Sequence, residues 1–325
     1  MPTPKLAAQR ILCLYTGGTI GCIPTTQGLA PAVGVLQEPL QKLLARLQLH
    51  QIELTLREYP QLLDSSSMQP KDWLRIAQDI HDNYHHFDGF IVLHGTDTLA
   101  WTAAALHWQL MQIAKPVVVT GSQRPWLESG SDATANVELA IRAATAQQAG
   151  ILVAFGGQVL PGVFVKKLDA DADAAFFAPN WQGTWPSAPT SNYFFQPVDP
   201  SLRILPIKLF PGTESWLVQS LANQTIDGIA METYGSGNPP AHTYLQSTLL
   251  HLAEQGTTFI NCTQCIRGEV RQGHYAAGDF MHQINALPAG RMSIEAATTW
   301  LYTAIKSDST QDSLAKAWQS AQLVV

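Results

Sequence analysis

"ILCLYTGGTIG" (residues 11–21) runs five apolar residues straight into two glycines bracketed by threonines. A short continuous apolar run ending in glycine reads as a strand buried on both faces, and the polar turn after it reads as a ligand-facing loop. The turn lacks the Gly-Lys-Ser/Thr ending of a phosphate-cradling loop. Gly-Gly-Thr-Ile-Gly also departs from the Gly-x-Gly-x-x-Gly of dinucleotide folds. Both nucleotide readings therefore fail. Taken alone, the turn is equally compatible with Thr16 and Thr19 bonding the backbone.

Outward from this stretch the same unit recurs. "IELTLREYP" (52–60) leads through "LLDSSSM" (62–68) to a helix that Pro70 opens, with Trp73, Ile76, Ala77 and Ile80 on one face. "GFIVLHGTDT" (89–98) precedes "LAWTAAALHWQLM", "PVVVTGSQRP" (116–125) precedes "DATANVELAIRAATAQ", and "GILVAFGGQVLPG" (150–162) supplies another strand. Apolar strands alternating with helices predict an α/β fold: a larger N-terminal domain whose mostly parallel sheet is flanked by helices. Ligands bind outside the carboxyl ends of such strands, where all these polar turns lie. The aromatic, Pro- and Ser-rich stretch after about residue 180 loses periodicity, and further strand-and-turn units follow it. The expected layout is an N-terminal domain over 1–186, a linker over 187–206 and a smaller C-terminal α/β domain over 207–325.

Composition narrows the function. In 325 residues, 14% are charged and 46% hydrophobic, enough to bury sizeable cores. A net charge of −6 without basic runs argues against nucleic acid or an anionic membrane as partner. No segment approaches the roughly 20 apolar residues of a membrane span. The apolar stretch near the N-terminus runs into a glycine turn without an Ala-x-Ala-like site, so it reads as a strand, and a cytoplasmic protein is the default. Four cysteines fit reduced thiols there; Cys262 and Cys265 form one C-x-x-C with no second pair at zinc-finger spacing. His81, His85 and His86 have helical spacing suitable for a metal, but "HDNYHHFDG" reads as a wet helix end. No metal and no organic cofactor are expected.

The polar turns hold the chemistry. "HGTDT" ends one strand and opens a helix, where Asp97 or Thr98 serves as a cap. The functional reading joins a hydroxyl, a carboxylate and a base. A threonine hydroxyl attacks only when a positioned base activates it, and a lysine does so once its ammonium loses a proton. Asp97 can orient such a lysine, and "VFVKKLDADADAAF" supplies Lys166 and Lys167. In "DSSSM", Asp64 can accept from a substrate ammonium, and Ser65 and Ser66 can hold a carboxylate. In "YGSGNPP", flanking glycines expose Asn238. Each turn by itself is as well explained by capping or by a solvated loop.

Together, "YTGGTIG", "DSSSM", "HGTDTLAWTAAAL", "KPVVVTGSQRP", "SDATANVELA", "KKLDADADAAF", "YGSGN" and "NCTQC" resemble the bacterial-type L-asparaginase family, in order along nearly the whole chain. The details most resemble its cytoplasmic type I branch. The resemblance implies hydrolysis of L-asparagine to aspartate and ammonia. It also implies intimate homodimers, often paired into homotetramers, with active sites shared between the N-terminal domain of one subunit and the C-terminal domain of its neighbour. Carried over by position, Thr19 is the nucleophile, and Thr96, Asp97 and Lys167 are the second triad. Asp64 with Asp97 binds the substrate ammonium, Ser65 and Ser66 the carboxylate, and Asn238 reaches the neighbour's site.

Three departures stand out. Leu29 occupies the place where most relatives carry a loop tyrosine that bonds the nucleophile, and Ala133 replaces a usual glycine. Of the type I regulatory positions Cys265 is retained, while Lys166, Glu232 and Thr303 replace a threonine, an arginine and a tyrosine. Glu232 repels a carboxylate where arginine attracts one, which argues against that form of regulation. Leu29 keeps open a non-catalytic or substrate-shifted amino-acid- or amide-binding relative. The amidase subunit of a tRNA-dependent amidotransferase is disfavoured, because the additional N-terminal domain expected there is missing.

Overall fold

The computed structural model describes residues 8–26, 28–49, 51–185, 193–221, 224–273 and 276–323. They form two compact units: one from residues 8–178 and 193–197, the other from 179–185 and 198–323.

The first unit runs β1 (Gln9–Gly17), the hairpin β2 (Cys22–Thr25) and β3 (Gly28–Pro31), α1 (Gln37–Leu47), β4 (Ile52–Leu63), α2 (Pro70–Asp82), β5 (Gly89–Leu93), α3 (Leu99–Gln109), β6 (Leu110–Met111), β7 (Pro116–Thr120), α4 (Ala133–Ala144), β8 (Gly150–Phe155) and β9 (Gln158–Pro161). Two short pairs, β10 (Lys166–Lys167) with β11 (Phe176–Phe177) and β12 (Phe194–Phe195) with β6, complete it. The main sheet has the order β4-β1-β5-β7-β8-β9, parallel throughout except for β9. Ile11 to Tyr15 and Phe90 to Leu93 are fully buried, as strands covered on both faces must be. In α2 the buried side chains are Trp73, Ile76, Ala77 and Ile80, the face expected from their spacing. Gln69 and Asp72 close its first turn as a capping box.

Chain order reverses at β1. The connection from β1 leads out to β4, and the one from β4 leads back across to β5. The switch point, where α/β sheets place ligands, therefore lies between the carboxyl ends of β1 and β5. "TGGT" follows one of these strands and "HGTDT" the other.

The second unit holds β13 (Ile204–Lys208), α5 (Thr213–Leu221), β14 (Gly228–Thr233), α6 (Thr243–Glu254), β15 (Thr258–Thr263), α7 (Ala276–Gln283), β16 (Leu287–Pro288), α8 (Ile294–Ala304) and α9 (Gln311–Leu323). Its sheet is parallel in the order β13-β14-β15-β16. Ile229, Met231 and Phe259 face a core shared with Leu217, Leu245 and Leu249, and α8 packs against β13, β14 and β15.

Three local expectations change. The stretch read as a single strand at 150–162 is a hairpin, with Gly156–Gly157 as its two-residue turn. Residues 187–192 of the expected 187–206 linker lie outside the described residues. The rest of it is partly structured: Phe194 and Phe195 pair with Met111 and Leu110, and Ile204 already pairs with Gly228 in the second sheet. The helix end is wet at Asp82, His85 and His86, which are exposed, but not at His81, which is half-buried. Its Nδ1 meets the Tyr193 hydroxyl at 2.8 Å, and its ring stacks on Phe195, which fastens the returning segment to α2. Among the described residues no group of three or more His, Cys, Asp or Glu side chains is placed to hold a metal ion. The four cysteines are free thiols.

Candidate active site

Thr96 follows β5 by three residues and is buried. Lys167, on the short β10, donates from Nζ to Thr96 Oγ1 at 3.0 Å and to Asp97 Oδ1 at 3.1 Å. The Lys167 side chain is 20% exposed and Asp97 61%, so the lysine is sheltered while the carboxylate keeps a face toward solvent. A hydroxyl, an amine and a carboxylate separated by 70 residues of sequence thus meet within hydrogen-bond distance.

Gln123 is a fourth member that sequence reading missed. Thr96 Oγ1 donates to Gln123 Oε1 at 3.2 Å, and Gln123 Nε2 donates to the carbonyls of Ala170 (3.0 Å) and Ala172 (3.2 Å). Two carbonyls on the nitrogen fix which end of the amide is the acceptor. Asp132 holds this turn from below, its carboxylate accepting from the Gln123 and Arg124 backbone N–H groups and from Asn136 Nδ2. "GSQ" and "SDATAN" carried this signal in their fixed order, but nothing local says that they meet.

The remaining first-unit residues lie on turns at the same edge of the sheet. Thr19 opens a single 3₁₀ turn, Thr19–Gly21, directly after β1 and is half-buried. Every carbonyl from Gly18 to Gly21 is taken: Gly18 by Gly21 N–H and the Cys22 thiol, Thr19 by Cys22 N–H, Ile20 by Trp126 N–H and Gly21 by Ala32 N–H. Thr16 is the structural threonine of the pair, donating to the Leu93 carbonyl at 2.9 Å and tying β1 to β5. Asp64 follows β4 and accepts from Ser66 N–H at 3.0 Å; Asp64 and Ser66 are exposed, and Ser65 is buried. Thr98 does not cap α3 with its side chain. Its hydroxyl donates to the Ser65 carbonyl at 2.7 Å and joins the turn after β5 to the turn after β4.

His94 stiffens the "HGTDT" turn. It is fully buried; its Nδ1–H donates to the Gly95 carbonyl at 2.6 Å, and its Nε2 accepts from the Thr102 hydroxyl at 2.8 Å. Burial pushes its pKa from 6.5 down to about 4, and His107 is pushed down to about 4 for the same reason. The unfolded chain takes up these protons as pH falls through 6.5, and the folded chain refuses them until about 4. Stability is therefore full above 6.5 and declines between 6.5 and 4, by on the order of 3 kcal/mol for each histidine. Urea unfolding across this range should display that loss. A His94→Gln variant, which gains no charge, should have a shallower slope.

Asn238 belongs to the second unit. It sits on the turn after β14, where its backbone N–H and carbonyl pair with Tyr234. It is half-buried rather than exposed. Below it Asn261 Nδ2 donates to the Gly237 carbonyl at 3.0 Å, and Thr233 Oγ1 donates to Asn261 Oδ1 at 2.8 Å.

Residues 10–187 match the family described as Asparaginase, N-terminal, and residues 203–317 match the Glutaminase/Asparaginase C-terminal domain. L-asparaginase 1 of Escherichia coli K12 is 32% identical over 323 residues, 95% of each chain. The mouse 60 kDa lysophospholipase is 32% identical over 325 residues, 89% of this chain and 57% of that one. Among solved structures, L-asparaginase I from Vibrio cholerae superposes with a TM-score of 0.83 at 29% identity, covering 96% of this chain and 97% of the other.

Proposed function

Because this chain belongs to the asparaginase family, we propose that it is an amidohydrolase converting L-asparagine and water to L-aspartate and ammonia. The observation that carries this reading is Lys167 Nζ bridging the Thr96 hydroxyl and the Asp97 carboxylate, the place from which an unprotonated amine can take up a proton through Thr96. Thr19 Oγ attacks the side-chain amide carbon, and its proton passes toward the Thr96–Lys167 pair. The C–N bond breaks, and the nitrogen leaves as ammonia with a proton returned from that pair. Water, activated by the same pair, then attacks the Thr19 ester; aspartate departs and Thr19 regains its proton. Backbone N–H groups near Thr96 stabilise the tetrahedral oxyanion, commonly a contribution of about 3 kcal/mol. Asp64 and Asp97 hold the substrate ammonium, and Ser65 and Ser66 hold its carboxylate. The chemistry requires no metal or organic cofactor. In this reading Asn238 serves the site of a second copy, so the working form is a homodimer or homotetramer, and the setting is cytoplasmic.

The test is ammonia release from L-asparagine, with L-glutamine and D-asparagine in parallel, for wild type and Thr19→Ala. The expected result is release from asparagine that vanishes in the variant. One methylene distinguishes glutamine, worth about 1–3 kcal/mol in a pocket, so some glutaminase activity should accompany the main one. One observation favours a second reading. Leu29 on β3 is 56% exposed and offers no hydroxyl, as in a protein that binds the amino acid without cleaving it. Saturable asparagine binding with no ammonia from any substrate would select that reading.

A further inference from the structure

Tyr15 ends the apolar run of β1, four residues before Thr19, and is fully buried. Its phenol oxygen lies against Gly21, so close that a Cβ on that glycine would overlap it. The ring thus forms the floor of the turn that carries Thr19. Among the described residues the phenol has no hydrogen-bond partner, and Glu58 Oε1 has none either. These two residues face each other in register across β1 and β4. The other Glu58 oxygen, Oε2, accepts from Gly34 N–H at 2.8 Å, just past the end of β3.

A buried hydroxyl left without a partner is destabilising and rarely kept without use. The carbonyls of the turn that Tyr15 supports, from Gly18 to Gly21, each already have a donor. Glu58 Oε1, on the neighbouring strand, is an acceptor without a donor. Burial pushes the phenol pKa up, with Cys22 and Glu58 adding to the effect, so the phenol keeps its proton and is a donor.

We infer that Tyr15 and Glu58 act as one positioning pair for Thr19: the ring supports the Gly21 turn, its unpartnered hydroxyl is the donor available to the equally unpartnered Glu58 Oε1 across the two strands, and Glu58 Oε2 holds the exit of the β2–β3 hairpin. One carboxylate thereby sets the nucleophile turn and the hairpin together. The clamp rests on the role of Thr19 proposed above, and it supplies from beneath the turn an order that Leu29 on the hairpin does not provide.

Tyr15→Phe removes the hydroxyl and keeps the ring under Gly21. The expected result is a kcat for asparagine lowered at least tenfold, KM within twofold, and a melting temperature that does not fall. Amide hydrogen exchange should quicken across residues 18–34 and stay unchanged in the second unit. Glu58→Gln should also lower kcat, and the double variant should be no slower than the slower single, as for groups acting as a unit. Exchange is read without substrate, so a wild type that releases no ammonia overturns the proposed activity alone, and exchange then decides the clamp. Unchanged exchange over 18–34 in Tyr15→Phe, unchanged kcat in an active enzyme, or additive effects in the double variant would overturn it.

Discussion

Lys167→Met should lower kcat/KM for asparagine by roughly three orders of magnitude or more, the usual loss when one member of a nucleophile-activating unit is removed. Methionine keeps much of the length and apolar stem of lysine but cannot donate to Thr96 or Asp97 or take a proton from the pair. The fold should tolerate the change. Asp97 is 61% exposed, so removing its partner leaves a carboxylate that water solvates, and stability should move by less than about 1 kcal/mol. Lys167→Arg separates two explanations of such a loss. Arginine keeps the positive charge but does not deprotonate in proteins. If lysine serves only as a fixed charge, arginine should keep the rate within about tenfold; if it moves a proton, arginine should fail nearly as badly as methionine. Thr96→Val should match Lys167→Met, and the double variant should be no worse than either. A Lys167→Arg enzyme at wild-type rate would remove the proton-transfer role and leave Thr19 in need of another base.

Much of this site was legible in the sequence because its parts are local. Ile11 to Tyr15 and Phe90 to Leu93 are apolar without interruption, since both faces of those strands are covered, and each ends in a polar turn quoted whole from the sequence. Trp73, Ile76, Ala77 and Ile80 announced α2 by spacing alone. What escaped depends on contacts between distant segments. Gln123 meets Thr96 across 27 residues and the Ala170 and Ala172 carbonyls across 47 and 49. No pattern around Gln123 separates a site amide from a surface one. Thr98 looked like a cap because threonine at a helix start usually is one, whereas a carbonyl 33 residues away takes its hydroxyl. Phe194 and Phe195 form too short a strand for any period to show, so the stretch around them read as linker. Tyr15 shows the converse error. In the sequence it reads as one more apolar residue of the strand, and its hydroxyl matters only through its neighbours in the fold.

Gly18→Ala should damage both the fold and the activity. Gly18 has φ of 91°, a conformation that strains any L side chain, and a Cβ there would overlap the backbone nitrogen and Cα of Gly95 and approach the carbonyl carbon of His94. The obstacle is main chain on both sides, so no rotamer change relieves it. To admit the methyl group, the turns after β1 and β5 must part, and those turns carry Thr19 and Thr96. The strain of the left-handed conformation costs about 1–2 kcal/mol, and overpacking adds about 1–3 kcal/mol, so a loss of roughly 3 kcal/mol or more is expected. Activity should fall by about a hundredfold or more even where the protein still folds, because a displacement of about 1 Å between reacting groups has that effect. Gly130→Ala separates the two contributions. Gly130 has φ of 77°, but a Cβ there would meet nothing within 4 Å. It should show only the conformational loss, about 1–2 kcal/mol in urea unfolding, and full activity. If the two variants lost equal stability, the close approach of the Gly18 and Gly95 backbones would contribute nothing. If Gly18→Ala hydrolysed asparagine at the wild-type rate, the spacing of these two turns would not govern catalysis.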